Sequence, residues 1–214
     1  MNQHDTDRFV MAGKPLVEAK RVMLVVHGRG ATAQNILSLC EHFDADDFAF
    51  IAPQATQNSW YSHSFLMPTE MNEPKLSSAL AILKHWVEAF QNQYGFTSEQ
   101  IYFLGFSQGA CLSLEFVVQN AAHYGAVFGL SGGLIGPENT PRNYAGDFNQ
   151  TPVFLGCSDT DPHIPKERVL ESDQVFKQMN ANVLVKLYPN LPHTINEDEI
   201  AIVNAILNTG HWPQ

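Results

Sequence analysis

Apolar residues in this chain gather into short runs separated by longer, periodically patterned segments. The runs lie at residues 22–26, 48–52, 101–104, 126–130, 153–155 and 183–188. They are almost continuously apolar and do not alternate, as expected for strands covered on both faces in a parallel sheet. Helical spacing fills the intervals at 33–43, 74–94, 108–120, 165–179 and 196–208. In the second of these, Leu76, Leu80, Leu83 and Val87 form one stripe, with Pro74 suited to a first turn. In the last, Ile200, Val203 and Ile206 form another, led by Asn196 and a run of acids that favours a helix N-terminus. A hairpin pairing 9–12 with 16–18 around Gly13-Lys-Pro15 is also expected.

Strand–helix alternation of this kind predicts βαβ units in a mostly parallel, doubly wound α/β sheet flanked by helices. The 214 residues contain no repeat and no Ser/Gly linker, so one domain over 1–214 is expected. Two connections are long, 53–73 and 131–151, and both leave the carboxyl ends of strands, where open α/β sheets bind ligands. The second is too short to build a lid domain, so an open site without a lid is expected.

Composition narrows the partners. Twelve Lys+Arg against 22 Asp+Glu give a net charge of −10, which argues against nucleic acid and against anionic membrane surfaces. Apolar runs are strand-length, so stable membrane insertion is not expected. The N-terminal residues are polar and acid-containing, unlike a signal peptide, and a cytoplasmic location is expected. Cys40, Cys111 and Cys157 are odd in number and far apart, which suits buried free thiols better than disulfides or a zinc knuckle. No His/Cys spacing indicates a metal, no P-loop is present, and no cofactor is expected.

Gly105-Phe-Ser107-Gln-Gly109 is G-x-S-x-G placed between a predicted strand and a predicted helix. That context marks a nucleophile elbow: a tight turn exposes the serine oxygen, and small neighbours let strand and helix approach. The N–H of the following residue, Gln108, then points toward a developing oxyanion. A serine needs a base to take its proton and an acid to orient that base, and in this sheet class they follow in the order Ser, Asp/Glu, His. The loop after 153–155 carries Asp159 and Asp161, and the loop after 183–188 carries His193. Asp161, ahead of a proline, is the stronger candidate acid, and Asp159 suits a turn.

His27-Gly-Arg-Gly30 ends the first buried strand and suits the other half of an oxyanion hole, through the backbone N–H of Arg29. Gly28-x-Gly30-x-x-Ala33 also satisfies a dinucleotide fingerprint, but no acid ends the second strand to hold a ribose. Trp60, Tyr61 and Phe65 in the first long connection either line an acyl pocket or pack as core beneath the loop. Leu134 and Ile164, on the loops after the fourth and fifth runs, are further candidates for substrate contact.

These residues resemble the phospholipase/carboxylesterase family of α/β-hydrolases, which includes acyl-protein thioesterase-like enzymes. The resemblance rests on His27-Gly-Arg-Gly30, Ser59-Trp-Tyr61, Gly105-Phe-Ser-Gln-Gly109, Leu130-Ser-Gly-Gly133, Asp161-Pro-His-Ile-Pro165 and His193, and spans about 22–209. It implies an α/β-hydrolase fold and a triad of Ser107, Asp161 and His193, with oxyanion N–H groups from Arg29 and Gln108. The implied reaction is hydrolysis of a small-molecule carboxylic ester or thioester by a monomer or homodimer. Longer-chain thioesterase or lysophospholipase activity, a peptidase or acyltransferase, and a non-catalytic sensor on the same fold are the alternatives. Relative to the family pattern, Ser62 replaces an acid after Trp60-Tyr61, Arg29 replaces a smaller apolar residue, and Pro192 precedes the histidine.

Overall fold

The computed structural model describes residues 4–213. Seven strands form one sheet in the order β1-β3-β2-β4-β5-β6-β7. The strands are β1 (Phe9–Gly13), β2 (Arg21–Val26), β3 (Phe48–Pro53), β4 (Ile101–Phe106), β5 (Ala126–Leu130), β6 (Pro152–Ser158) and β7 (Asn182–Tyr188). All neighbours run parallel except the edge strand β1, which is antiparallel to β3. The helices are α1 (Ala33–Leu37), α2 (Lys75–Asn92), α3 (Gln108–Gln119), α4 (Lys166–Gln178) and α5 (Glu197–Thr209).

The near-continuous apolar runs become strands with a separate core on each face. Val22, Leu24 and Val26 of β2 face one layer with Leu83 of α2, Leu112 of α3 and Val169 of α4. Met23 and Val25 face the other, with Ile36 of α1 and Ile202 of α5. Period-two alternation thus divides apolar side chains between two helical layers, which is why the sequence shows no charged positions inside β3, β4 and β5, whereas the edge strand β7 carries the exposed Lys186. The α/β-hydrolase expectation holds in topology.

Two local expectations fail. No hairpin joins 9–12 to 16–18; β1 pairs with β3 instead, Val10 opposite Ala52. The N–H groups of Glu18 and Ala19 both bond the Pro15 carbonyl, so the segment after Pro15 closes into a turn and offers no ladder. The helix expected over 33–43 also stops early. Its α-helical part ends at Leu37 and continues as a 3₁₀ segment, Ser38–His42, with Ser38 Oγ donating to the Asn35 carbonyl. Such side-chain competition for backbone acceptors weakens an α-helix.

The carboxyl ends of the parallel strands open onto one edge, and the loops that leave them carry the residues described next.

Candidate active site

Ser107 sits between β4 and α3 with φ 54° and ψ −120°, a backbone conformation that non-glycine residues rarely adopt. The turn is held from both sides: Ser107 N–H donates to the Leu130 carbonyl and Cys111 N–H to the Ser107 carbonyl, each at 3.0 Å. Two glycines make it possible. A Cβ on Gly109 would strike the carbonyl oxygens of Val26 and His27, and one on Gly105 would strike the backbone of Gly109 and Ala110. The elbow is therefore a place where β2, β4 and α3 approach more closely than any side chain allows.

His193, on the loop after β7, places Nε2 2.8 Å from Ser107 Oγ. Its Nδ1 lies 2.7 Å from Asp161 Oδ2, on the loop after β6. With Nδ1–H donating to the carboxylate, Nε2 is left to accept the hydroxyl proton of Ser107. Phe106 and His163 pack against the His193 ring, with centroids 5.0 and 4.9 Å away, and limit its rotation. The Asp161 side chain has no exposed surface, against 19% for His193. Burial pushes the Asp161 carboxyl up, but His193 and the N–H groups of His163 and Ile164, which both donate to Oδ1, outweigh it and hold it below its ordinary value. Asp159 faces elsewhere: its Oδ1 accepts the N–H of Asn190, tying the two loops together.

Gln108 is the first residue of α3, so its N–H has no intrahelical partner and points out of the helix beside Ser107. Its side chain does different work. Oε1 accepts the Trp60 N–H at 2.9 Å and Nε2 donates to the Tyr61 carbonyl at 2.8 Å, which fastens the first long connection to the elbow. Arg29 fastens the same connection further out. Its Nη1 donates to Ser59 Oγ and the Ser62 carbonyl, and Nη2 to the His63 carbonyl.

Beneath this lies a histidine relay of structural character. His27 Nδ1–H donates to the Gly28 carbonyl, and its Nε2 accepts the Ala55 N–H. Burial holds the ring below its ordinary pKa, in its neutral form. His4 repeats the pattern, accepting the Thr56 N–H and donating to the Trp60 carbonyl. Trp60 in turn donates its indole N–H to the His27 carbonyl.

A cavity of about 570 Å³ opens over Ser107 and His193. Tyr61, Phe65 and Ile164 line it, as do Arg29 and Gln108. Two expected substrate contacts are elsewhere. Trp60 is fully buried with its indole N–H spent on His27, and Leu134 is fully buried with its N–H on Ser172 Oγ. Both pack the core under their loops and do not face the cavity. His63 and His163 line it without having been singled out. Their signal was positional: each lies inside a segment already marked, after Trp60-Tyr61 and within Asp161-Pro-His-Ile-Pro165.

The three cysteines are buried and unpaired. Burial pushes each thiol up to about 12, so none supplies a thiolate near neutral pH. Among the described residues, no group of His, Cys, Asp and Glu side chains could hold a metal ion.

A strained serine after a parallel strand, a histidine in line with it and an acid behind the histidine form an arrangement suited to acyl transfer. Residues 8–211 match the model of the phospholipase/carboxylesterase family. The chain belongs to that family. It resembles the crystal structure of a phospholipase/carboxylesterase from Dyadobacter fermentans, with 46% identity, a TM-score of 0.92, and coverage of 97% of this chain and 98% of that one. Acyl-protein thioesterase 1 of Gibberella zeae is 27% identical over 86% of this chain and 88% of its own length. A carboxylesterase from Mesorhizobium loti, only 16% identical, shares the fold with a TM-score of 0.74 over 96% of this chain and 98% of that one. As a member of the phospholipase/carboxylesterase family, the protein is a hydrolase of the esterase class. Among the described residues, no helix is long and apolar enough to cross a membrane.

Proposed function

We propose that the protein cleaves carboxylic esters of small to medium acyl chains, with thioesters open to the same steps. Ser107 is the nucleophile, His193 the base and Asp161 the orienting acid, in one cytoplasmic domain over 1–214. The observation that carries this reading is the unbroken line from Asp161 Oδ2 through His193 to Ser107 Oγ, with separations of 2.7 and 2.8 Å across three loops.

In the first step the Ser107 hydroxyl proton passes to His193 Nε2 as Oγ forms a bond to the acyl carbon. The carbonyl oxygen takes the negative charge and is stabilised by the N–H groups of Arg29 and Gln108. The bond to the leaving oxygen or sulfur breaks, and that atom takes the proton from His193. Water then adds to the acyl-enzyme, giving a proton to the same nitrogen. Collapse releases the carboxylic acid and returns the proton to Ser107. Asp161 accepts a hydrogen bond throughout and stabilises the imidazolium.

The test is labelling with a fluorophosphonate probe, comparing wild type with Ser107→Ala, followed by turnover of 4-nitrophenyl esters of increasing chain length. Labelling is expected in wild type alone, with rates highest for short and medium chains. Equal labelling of the alanine variant removes Ser107 from the mechanism. A steady rise in rate to long chains replaces the proposed substrate range with a longer one.

A further inference from the structure

The charge around the cavity does not match the charge of the chain. The protein carries −10 overall, yet among the described residues no Asp or Glu lines the cavity, whereas Arg29 does. Asp161 stands behind His193 with no exposed side-chain surface and does not line the cavity.

Arg29 is the centre of this asymmetry. Arg21, Arg142 and Arg168 each face a carboxylate, Asp47 for the first and Glu171 for the other two. Arg29 forms no ion pair among the described residues. Its three side-chain hydrogen bonds all go to neutral oxygens, those of Ser59, Ser62 and His63. A guanidinium has five N–H groups. Those three bonds leave Nε–H and one Nη2–H unspent, on a side chain held in place at the cavity wall. A loop clamp needs donors but not an uncompensated charge. Preorganised donors with a full positive charge, in a wall free of carboxylates, are what a carboxylate ligand requires. The N-terminus of α3, which begins at Gln108 on the same cavity, adds positive potential of the same sign.

We propose that the ester cleaved here carries a carboxylate, and that the Arg29 side chain receives it. This inference rests on the reading of the site as an esterase and names its substrate class. Arg29 then has two separable parts: its backbone N–H serves the oxyanion, and its guanidinium selects the substrate.

The experiment compares two matched pairs of esters. In the first the acyl part varies, 4-nitrophenyl adipate monoester against its terminal carboxamide analogue. In the second the alcohol part varies, butanoate esters of 3-hydroxybenzoic acid and of 3-hydroxybenzamide. For at least one pair, kcat/KM should favour the carboxylate by roughly 10- to 100-fold, as a hydrogen-bonded charge provides. The readout is that ratio, because the absolute rate in any Arg29 variant also reflects the neighbouring backbone N–H. Arg29→Gln should bring the ratio to near one, and Arg29→Lys should restore part of it. In wild type, raising salt to about 0.5 M should lower the ratio, since an exposed charge pair is screened. A ratio near one in wild type for both pairs overturns the inference while Ser107-dependent turnover keeps the esterase reading. A high ratio that survives in Arg29→Gln overturns it as well. Absence of Ser107-dependent turnover of every ester overturns both.

Discussion

Asp161 presents Oδ2 to Nδ1 of His193 at 2.7 Å, and its other oxygen is occupied by the backbone. The carboxylate is fixed before the histidine is considered, so it sets both the ring's orientation and its tautomer. Asn in its place would offer an amide of the same shape that no longer compels Nδ1 to carry the proton. Asp161→Asn should therefore reduce kcat by about 10⁴-fold with little change in stability. Asp159→Asn keeps an acceptor for the Asn190 N–H and should leave stability within about 0.5 kcal/mol and turnover nearly intact. Steady-state kinetics of the two variants side by side decide between the acids. Loss of turnover in the Asp159 variant alone would reverse the assignment.

Gln108 links the elbow to the loop after β3. Replacing it with Leu keeps the backbone N–H beside Ser107 but strands the buried Trp60 N–H and leaves the Tyr61 carbonyl to the Ser59 hydroxyl alone. The orphaned N–H costs about 1–3 kcal/mol. For a chain of this size every kcal/mol lost lowers Tm by about 2–4 °C. Thermal melting of Gln108→Leu should show that drop. Tyr61 lines the cavity, so KM should rise along with it. A variant that melts like wild type would show that the loop is held by Arg29 and the buried histidines without help from Gln108.

Gly109→Ala tests the elbow's geometry. The added methyl meets the carbonyl oxygens of Val26 and His27, which are backbone atoms of β2 and its exit loop and have little room to retreat. Overpacking of this kind should cost about 3 kcal/mol, visible as a lower urea midpoint, with turnover reduced in the folded fraction. Unchanged stability would mean that α3 can slide away from β2, and that the elbow is looser than its contacts suggest.

What the sequence revealed, and what it hid, follows from the range of the forces involved. The strand runs were readable because burial on both faces removes polar residues from every position of β3 and from β2 beyond its first residue, Arg21. The elbow was readable because a steric demand within five residues leaves glycines at fixed places. Asp161 and His193 were readable by order, since each lies on the loop after a late strand. The two fates of Trp60 and Tyr61 were not readable. One is core and the next lines the cavity, and the difference is set by Gln108 and His27, residues 48 and 33 positions away from Trp60. The pairing of β1 with β3 was hidden for the same reason, because a strand's partner is chosen by the sheet and leaves no local mark. Arg29 stood out as a departure from the family pattern, but only the neutral character of its partners shows that its charge is unspent.

Glu199 gives the last prediction, one that concerns stability and pH. It lies in the first turn of α5 with no exposed surface. Its Oε2 accepts the Asn196 N–H, and Asn196 Oδ1 accepts the Glu199 N–H, forming a capping box. Its Oε1 is buried and, among the described residues, finds no hydrogen-bond partner. Burial pushes the carboxyl up from 4.5 to about 7, helped by the neighbouring Asp198 and opposed by the Asn196 N–H. The sign follows from linkage. Below pH 4.5 folded and unfolded chains both hold the proton, and the shift has no effect. As pH rises from there, the unfolded chain releases it first, so stability falls until the folded carboxyl also ionises near pH 7. Above that the full cost remains, about 3 kcal/mol. Glu199→Gln keeps the capping-box hydrogen bond and cannot ionise. The variant should therefore exceed wild type in stability by up to about 3 kcal/mol at pH 8, with the advantage shrinking toward pH 5. Urea denaturation of both proteins at the two pH values measures this difference directly, because every other titrating group is common to both. An advantage that is the same at both pH values, or that grows as pH falls, would show that the buried carboxyl does not titrate in this range.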